Sequence, residues 1–206
     1  IMATSATPYG ARPIGTTSAS GSFSSKVRNL PIITTYDTAI FNGDFVKLVA
    51  NGTVEKDAGT ATLASIGIFM GCAYTDPTSG QKTFSDMWPA SNAATDAVAY
   101  VLDDPDVVLR MQADEAMNTT DRGLNVGVVQ TAGSTSIKKS KNAIDGSTPA
   151  ATLTLPLRVI DFVDGPKSLA PDGTTASDAK PDVVVKFNAA STFTASPHSY
   201  NNPTGL

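Results

Sequence analysis

One cysteine, one histidine and one tryptophan are all that this chain has of three residue types that often carry site chemistry. A lone Cys72 excludes an intrachain disulfide and a cysteine-based metal site. It follows an apolar run and reads as a small buried thiol. A nucleophilic thiol would need a base beside it. The one imidazole is His198, in a polar tail, and no nucleophile signature surrounds Cys72. A single histidine also excludes a multi-histidine metal site. Charge is sparse as well: 17% of residues are Asp, Glu, Lys or Arg, and the net charge is −4. A general nucleic-acid binder needs a basic face to displace counterions from phosphates, so this balance argues against that class. No apolar run reaches the roughly 18 residues of a membrane-spanning helix. The start, Ile1–Ser5, lacks a basic stretch followed by an apolar one, so no standard secretory signal is visible. Phosphate-loop, dinucleotide-binding, nucleophile-elbow and zinc-protease motifs are all missing. The expectation is a chain that is not an enzyme and takes no cofactor and no metal.

What is present is strand-forming sequence. Phe45–Val49 reads as a strand, Asn51-Gly52 as a hairpin turn, and Thr53–Lys56 as the returning strand. Lys56–Gly59 makes a second turn. Ser65–Met70 supplies a third strand, with Ile66, Ile68 and Met70 on one face and Gly67 and Phe69 on the other. A β-meander is expected here. Further strands are predicted at Ala97–Leu102, Val107–Gln112, Val126–Val129, Ala151–Val163 and Asp182–Asn188. Within them, Val107, Leu109 and Met111 share a face, as do Leu153, Leu155, Leu157 and Val159, and Val183, Val185 and Phe187. Ala113–Asn125, closed by Gly123, is the best helix candidate. The expected fold is mainly β: a compact barrel- or sandwich-like core with one short helix and extended N- and C-terminal arms. The arms are placed at residues 1–30 and 189–206, around a β-rich core at 31–188 that is open to division near 131–150.

Charge is unevenly placed. Residues 1–36 hold Arg12, Lys26 and Arg28 and no acid; the acids begin at Asp37. A basic arm on an acidic body suggests an arm that lies on an acidic partner surface, against the simpler reading of a solvated tail. Tyr9, Arg12, Pro13, Phe23, Lys26 and Arg28 are its candidate contacts. Trp88 reads either as an interface anchor on a polar loop or as the closure of one barrel end. Three carboxylates at Asp103, Asp104 and Asp106 raise a cation site. Their spacing matches no EF-hand, and aspartates beside a proline are ordinary turn residues. Lys138, Lys139 and Lys141 form a basic cluster in the polar loop Thr131–Pro149; nucleic-acid contact and a solvated loop are its two readings.

Several stretches resemble a family of virion structural proteins of marine tailed phages: GDFVKLV with NGTVEKD, IGIFMGCAYTDPTSGQKTFSDMWPAS, AYVLDDPDVVLRMQAD, GLNVGVVQTAGST, LPLRVIDFVDGP and PDVVVKFN. The resemblance spans nearly the whole chain, and its motifs are structural, not catalytic. The GD-x-V-x-L…GTV pattern is also similar to the small β-domains of capsid decoration, or cement, proteins. The resemblance implies a non-enzymatic bacteriophage protein made in the host cytoplasm and placed on the capsid exterior. There it would sit as a homotrimer and clamp neighbouring subunits of the major capsid protein against packaged DNA. Its partners would be the major capsid protein and itself, with no direct nucleic acid and no membrane. Two other classes are a tail, neck or fibre-base component of the virion and a displayed carbohydrate-binding or adhesive module using Trp88, Tyr74 and Tyr100.

Overall fold

The computed structural model describes residues 7–17, 26–163 and 180–188. The strands are β1 (Arg12–Thr16), β2 (Val27–Pro31), β3 (Ile40–Phe41), β4 (Phe45–Leu48), β5 (Val54–Lys56), β6 (Gly67–Thr75), β7 (Lys82–Ser85), β8 (Met87–Trp88), β9 (Val98–Leu102), β10 (Val107–Gln112), β11 (Asn125–Val129), β12 (Ala143–Ala150), β13 (Leu157–Phe162) and β14 (Asp182–Phe187). The fold is mainly β. A six-stranded sheet runs in the order β1-β10-β14-β13-β11-β12. A second sheet runs β2-β9-β6-β4-β5, with β7 on the far half of β6, and β3 pairs with β8. Just past β2, Ile32 bridges Val54 of β5, so the two ends of the second sheet meet and it curls toward a barrel.

Period-two alternation puts one set of side chains between the sheets. Leu109 and Met111 of β10, Val183, Val185 and Phe187 of β14, and Leu157 and Val159 of β13 are buried there against Phe45, Ile68 and Leu102 of the second sheet. Phe45 and Phe187 meet edge to face at 5.9 Å. Each such fully buried large side chain contributes about 1.5–3 kcal/mol. The other face of the second sheet lines a second core inside the curl: Val46, Val54, Phe69, Cys72, Tyr74, Trp88, Ala99 and Val101. Strand β6 serves both cores by alternation, Ile68 facing the first and Phe69 the second, and a bulge at Met70, between Phe69 and Gly71, interrupts that alternation. Before it the even-numbered Ile68 faces the first core; after it the even-numbered Cys72 and Tyr74 face the second. The extra residue switches the side-chain phase.

The structure differs from the sequence expectations at several points. The meander is not sequential: β6 returns to the free edge of β4, giving the order β5-β4-β6. The buried Asp57 carboxylate makes that return by accepting the Gly59 and Ala64 amides at 2.9 and 2.8 Å. Ile66 precedes β6 and turns into the second core, away from Ile68. At the hairpin only Gly52 takes a positive φ, +81°, while the Asn51 side chain accepts the Thr53 amide. The expected helix over 113–125 is one 3₁₀ turn, Thr119–Asp121. Ala113 and Asp114 are taken up by Ile144 of β12, and the segment buries Ala113 and one large apolar side chain, Met117. Residues 151–156 precede β13, which leaves Leu153 half exposed, whereas the polar 143–150 stretch forms edge strand β12. An edge tolerates such a sequence because only Ala143 and Ile144 enter the interior. The expected arm over 1–30 supplies β1 to one sheet and β2 to the other. The arm over 189–206 lies outside the described residues.

Candidate partner-binding surface

The N-terminal segment is threaded into a buried polar junction. The Asp44 carboxylate, fully buried, accepts the Phe41 amide at 3.0 Å and the Ser140 hydroxyl at 2.6 Å, and pairs with the Lys56 ammonium at 3.1 Å. A buried charge is tolerable only with partners of this kind. Ser140 Oγ in turn accepts the Asn142 amide. Gly10 donates to the Asn142 carbonyl and Ala11 to that of Gly43. A Cβ on Gly10 would lie 2.4 Å from Ser140 Cβ, and its φ is +75°, so glycine is required on both counts. Sequence reasoning singled out the Gly43-Asp44 pair only as part of a resemblance. Its role as a tie between chain segments had no local signal, because Ser140 lies 96 residues away.

From that junction the segment runs onto the outer face of the six-stranded sheet. Tyr9 donates its hydroxyl to Asp182 at 2.7 Å, and Arg110 pairs with the same carboxylate. Burial, then Asp182, pushes the Tyr9 phenol well above its ordinary range; the bond to Asp182 likewise raises Arg110. Arg12 stands opposite Arg110 in the β1–β10 register and lays its guanidinium 4.4 Å above the Tyr9 ring. Pro13, also on β1, is half-buried opposite Leu109.

Beside this segment the loop 134–139 stands up as a ridge, closed by the Ser134 amide on the Lys139 carbonyl at 2.9 Å. Lys139 pairs with Asp86 at 2.7 Å, and Lys138, in a left-handed conformation, reaches Ser85. Ile137 at the tip is 64% exposed. Between ridge and N-terminal segment lies a cleft of about 380 Å³ lined by Thr7, Pro8, Tyr9, Arg12, Ile137, Lys139 and Lys141. The structure therefore joins two basic elements that lie far apart in sequence, Arg12 near one end and Lys139 with Lys141 in the second half of the chain. A second cleft on the other side of the ridge is lined by Phe84, Ser85, Asp86, Tyr100 and Lys138 above Cys72.

The remaining candidates are dispersed. Phe23 and His198 lie outside the described residues. Lys26 is exposed, and Arg28 forms an ion pair with the buried Asp103. Trp88 is no surface anchor: it is fully buried, 5.5 Å from Tyr74 in an edge-to-face pair, with no hydrogen-bond partner for its indole N–H among the described residues. The chain closes around it because β8 pairs with β3 and carries the ring inward. Tyr74 is buried too, so the aromatic set expected for a sugar platform does not present a joint face. The three aspartates diverge: Asp103 faces Arg28, Asp104 accepts the Asp106 amide at 2.9 Å, and Asp106 lies 3.8 Å from Lys186. Cys72 is buried and donates weakly to the Met87 carbonyl; burial pushes its thiol up to about 12. Comparison with protein-family models, curated proteins and solved structures gives no match for the chain.

Proposed function

We propose that the chain is a non-enzymatic structural protein of a phage capsid. In this reading it binds the outer surface of the head and cements neighbouring major capsid subunits, as a homotrimer, against the pressure of packaged DNA. The sequence resemblance suggests the role. The observation that carries it is the use of polar side chains as braces between distant segments. Tyr9 bonds Asp182 across 173 residues, Ser140 bonds Asp44 across 96, and Arg110 pairs with Asp182 across 72. Carboxylates held in this way are acceptors in a scaffold, and a braced β-body suits a part that bears load. The surface formed by the N-terminal segment and the 134–139 ridge offers cations and an exposed aliphatic on an acidic chain, which suits attachment to another protein.

The test is to separate purified source particles into heads and tails and to count this chain in each by quantitative mass spectrometry. Hundreds of copies on heads, released by mild denaturant before the shell opens, are expected. A few dozen copies on tails, or none on any particle, would sink the reading in favour of a tail component or an adhesive module.

A further inference from the structure

We propose that the cleft between the N-terminal segment and the 134–139 ridge is a docking site for an acidic, extended polypeptide segment of a partner protein. The proposal rests on the reading above only for naming that partner as the capsid subunit.

Charge complementarity selects the occupant. Arg12, Lys139 and Lys141 converge on one cleft in a chain whose net charge is −4, so the concentration does not follow from basic composition. Arg12 and Lys141 have no carboxylate partner among the described residues, and Arg12 is held in place by the Tyr9 ring. A planar guanidinium fixed in this way presents its fork to a carboxylate. Lys139 is fixed by Asp86. The walls are apolar: Pro8, the Tyr9 ring and Ile137. Ile137 is held out on a braced loop, so an incoming side chain meets a preorganised surface and little ordering entropy is lost.

Nucleic acid fits the same cleft less well. Three cations neutralise few phosphates, and Asp86 offsets one of them. Among the described residues the cleft has one aromatic ring, Tyr9, and Arg12 takes one of its faces, so there is no run of rings on which successive bases could stack.

The test uses the full chain and a fluorescein-labelled peptide of alternating glutamate and valine, read by fluorescence anisotropy. Its glutamine counterpart and oligothymidylate are the comparison probes. The variants are Arg12→Glu with Lys141→Glu, and Ile137→Ser. Lys47→Glu with Lys82→Glu makes the same charge change at residues that do not line the cleft. Unaltered far-ultraviolet dichroism and thermal midpoint show that each variant is folded. The glutamate peptide should bind and the glutamine peptide should not. The cleft double variant should weaken binding by roughly tenfold or more, Ile137→Ser by a few-fold, and the control by less than either. No binding of the glutamate peptide, equal loss in the control, or oligothymidylate binding lost in parallel would overturn the proposal.

Rebinding to heads stripped of this chain separates the two readings. Peptide binding as expected without head binding by the unaltered protein keeps the cleft and removes the capsid role. Head binding that survives the cleft double variant keeps the capsid role and removes the cleft.

Discussion

The core between the two sheets and the core inside the curled sheet share strands β4, β6 and β9 but are closed in different ways. The first is bounded by strands on both sides. Alternation decides most of its members, and they are mostly aliphatic: Leu109, Met111, Val126, Val128, Leu157, Val159, Val183 and Val185, with Ala11, Leu63, Ala113 and Met117 added from outside the strands. The second is bounded by the curl on one side and by the segments around β3 and β8 on the other. It gathers its aromatic and small residues, Phe69, Tyr74, Trp88, Ala94, Ala97 and Ala99, from strands and loops together. A strand-bounded core announces itself by period two. A loop-capped core does not, because apolar residues in a loop follow no period.

The largest expected effect is at the loop-capped core. Trp88→Ala should cost about 3–5 kcal/mol, as deletion of a large buried aromatic does. Urea denaturation monitored by dichroism measures it. A loss under about 1 kcal/mol would mean that the loops carry little of the fold's stability and would break the comparison.

Next comes the tie between the two regions. Asp44→Ala strands a largely buried Lys56 ammonium and removes acceptors from Phe41 and Ser140, so a loss of about 3 kcal/mol is expected. Ser140→Ala in the same denaturation series should cost about 1 kcal/mol, since it removes one hydrogen bond. Equal losses at the two positions would place the Asp44 contribution outside the ion pair.

Alkaline pH probes the two regions together. Cys72 in the loop-capped core has its thiol raised from about 9 to about 12, chiefly by burial. Tyr9 on the outer sheet face is raised from 10, by burial and then by Asp182. A folded pKa above the unfolded one means stability that is fully present below the unfolded value and lost as pH rises toward the folded one. Urea midpoints should therefore hold up to about pH 9 and fall above it, and Cys72→Ala should flatten the part of the fall that begins there. A midpoint that rises between pH 9 and 11 would contradict both assignments.

The smallest effect is expected on the outer face of the strand-bounded sheet. Tyr9→Phe removes one part-buried hydrogen bond while Arg110 still satisfies Asp182, so about 0.5 kcal/mol should be lost. Amide exchange of residues 9–12 should accelerate more than that of β14, which marks the loss as local.

The legible parts of the molecule follow from these contrasts. The faces of β10 and β14 were readable because each alternates over a full strand. The hairpin at Asn51-Gly52 was readable because turn chemistry is local. Trp88 was open to two readings, since an aromatic in a polar stretch looks the same whether it points out or in. The short helix over 113–125 was overestimated: cap-like residues were present, but β12 competed for the same backbone groups. In the candidate surface, Arg12 and Tyr9 were visible as arm residues and Lys139 and Lys141 as a loop cluster. Ile137, the exposed tip between them, carried no signal, and neither did the meeting of the two elements.

The sequence by itself determined the strand-rich character, the positions of most strands, and the alternating residues that fill the space between the sheets. These depend on the spacing of neighbours along the chain, and period two is fixed by the backbone of a strand. Only the tertiary structure decided that β6 returns to β4, that a bulge at Met70 changes which β6 side chains face which core, and that Gly10, Asp44 and Ser140 meet at one buried point. Such arrangements depend on which distant segments can satisfy a buried charge or an unpaired strand edge. That choice is made by desolvation and packing across the whole fold, and no local stretch of residues encodes it.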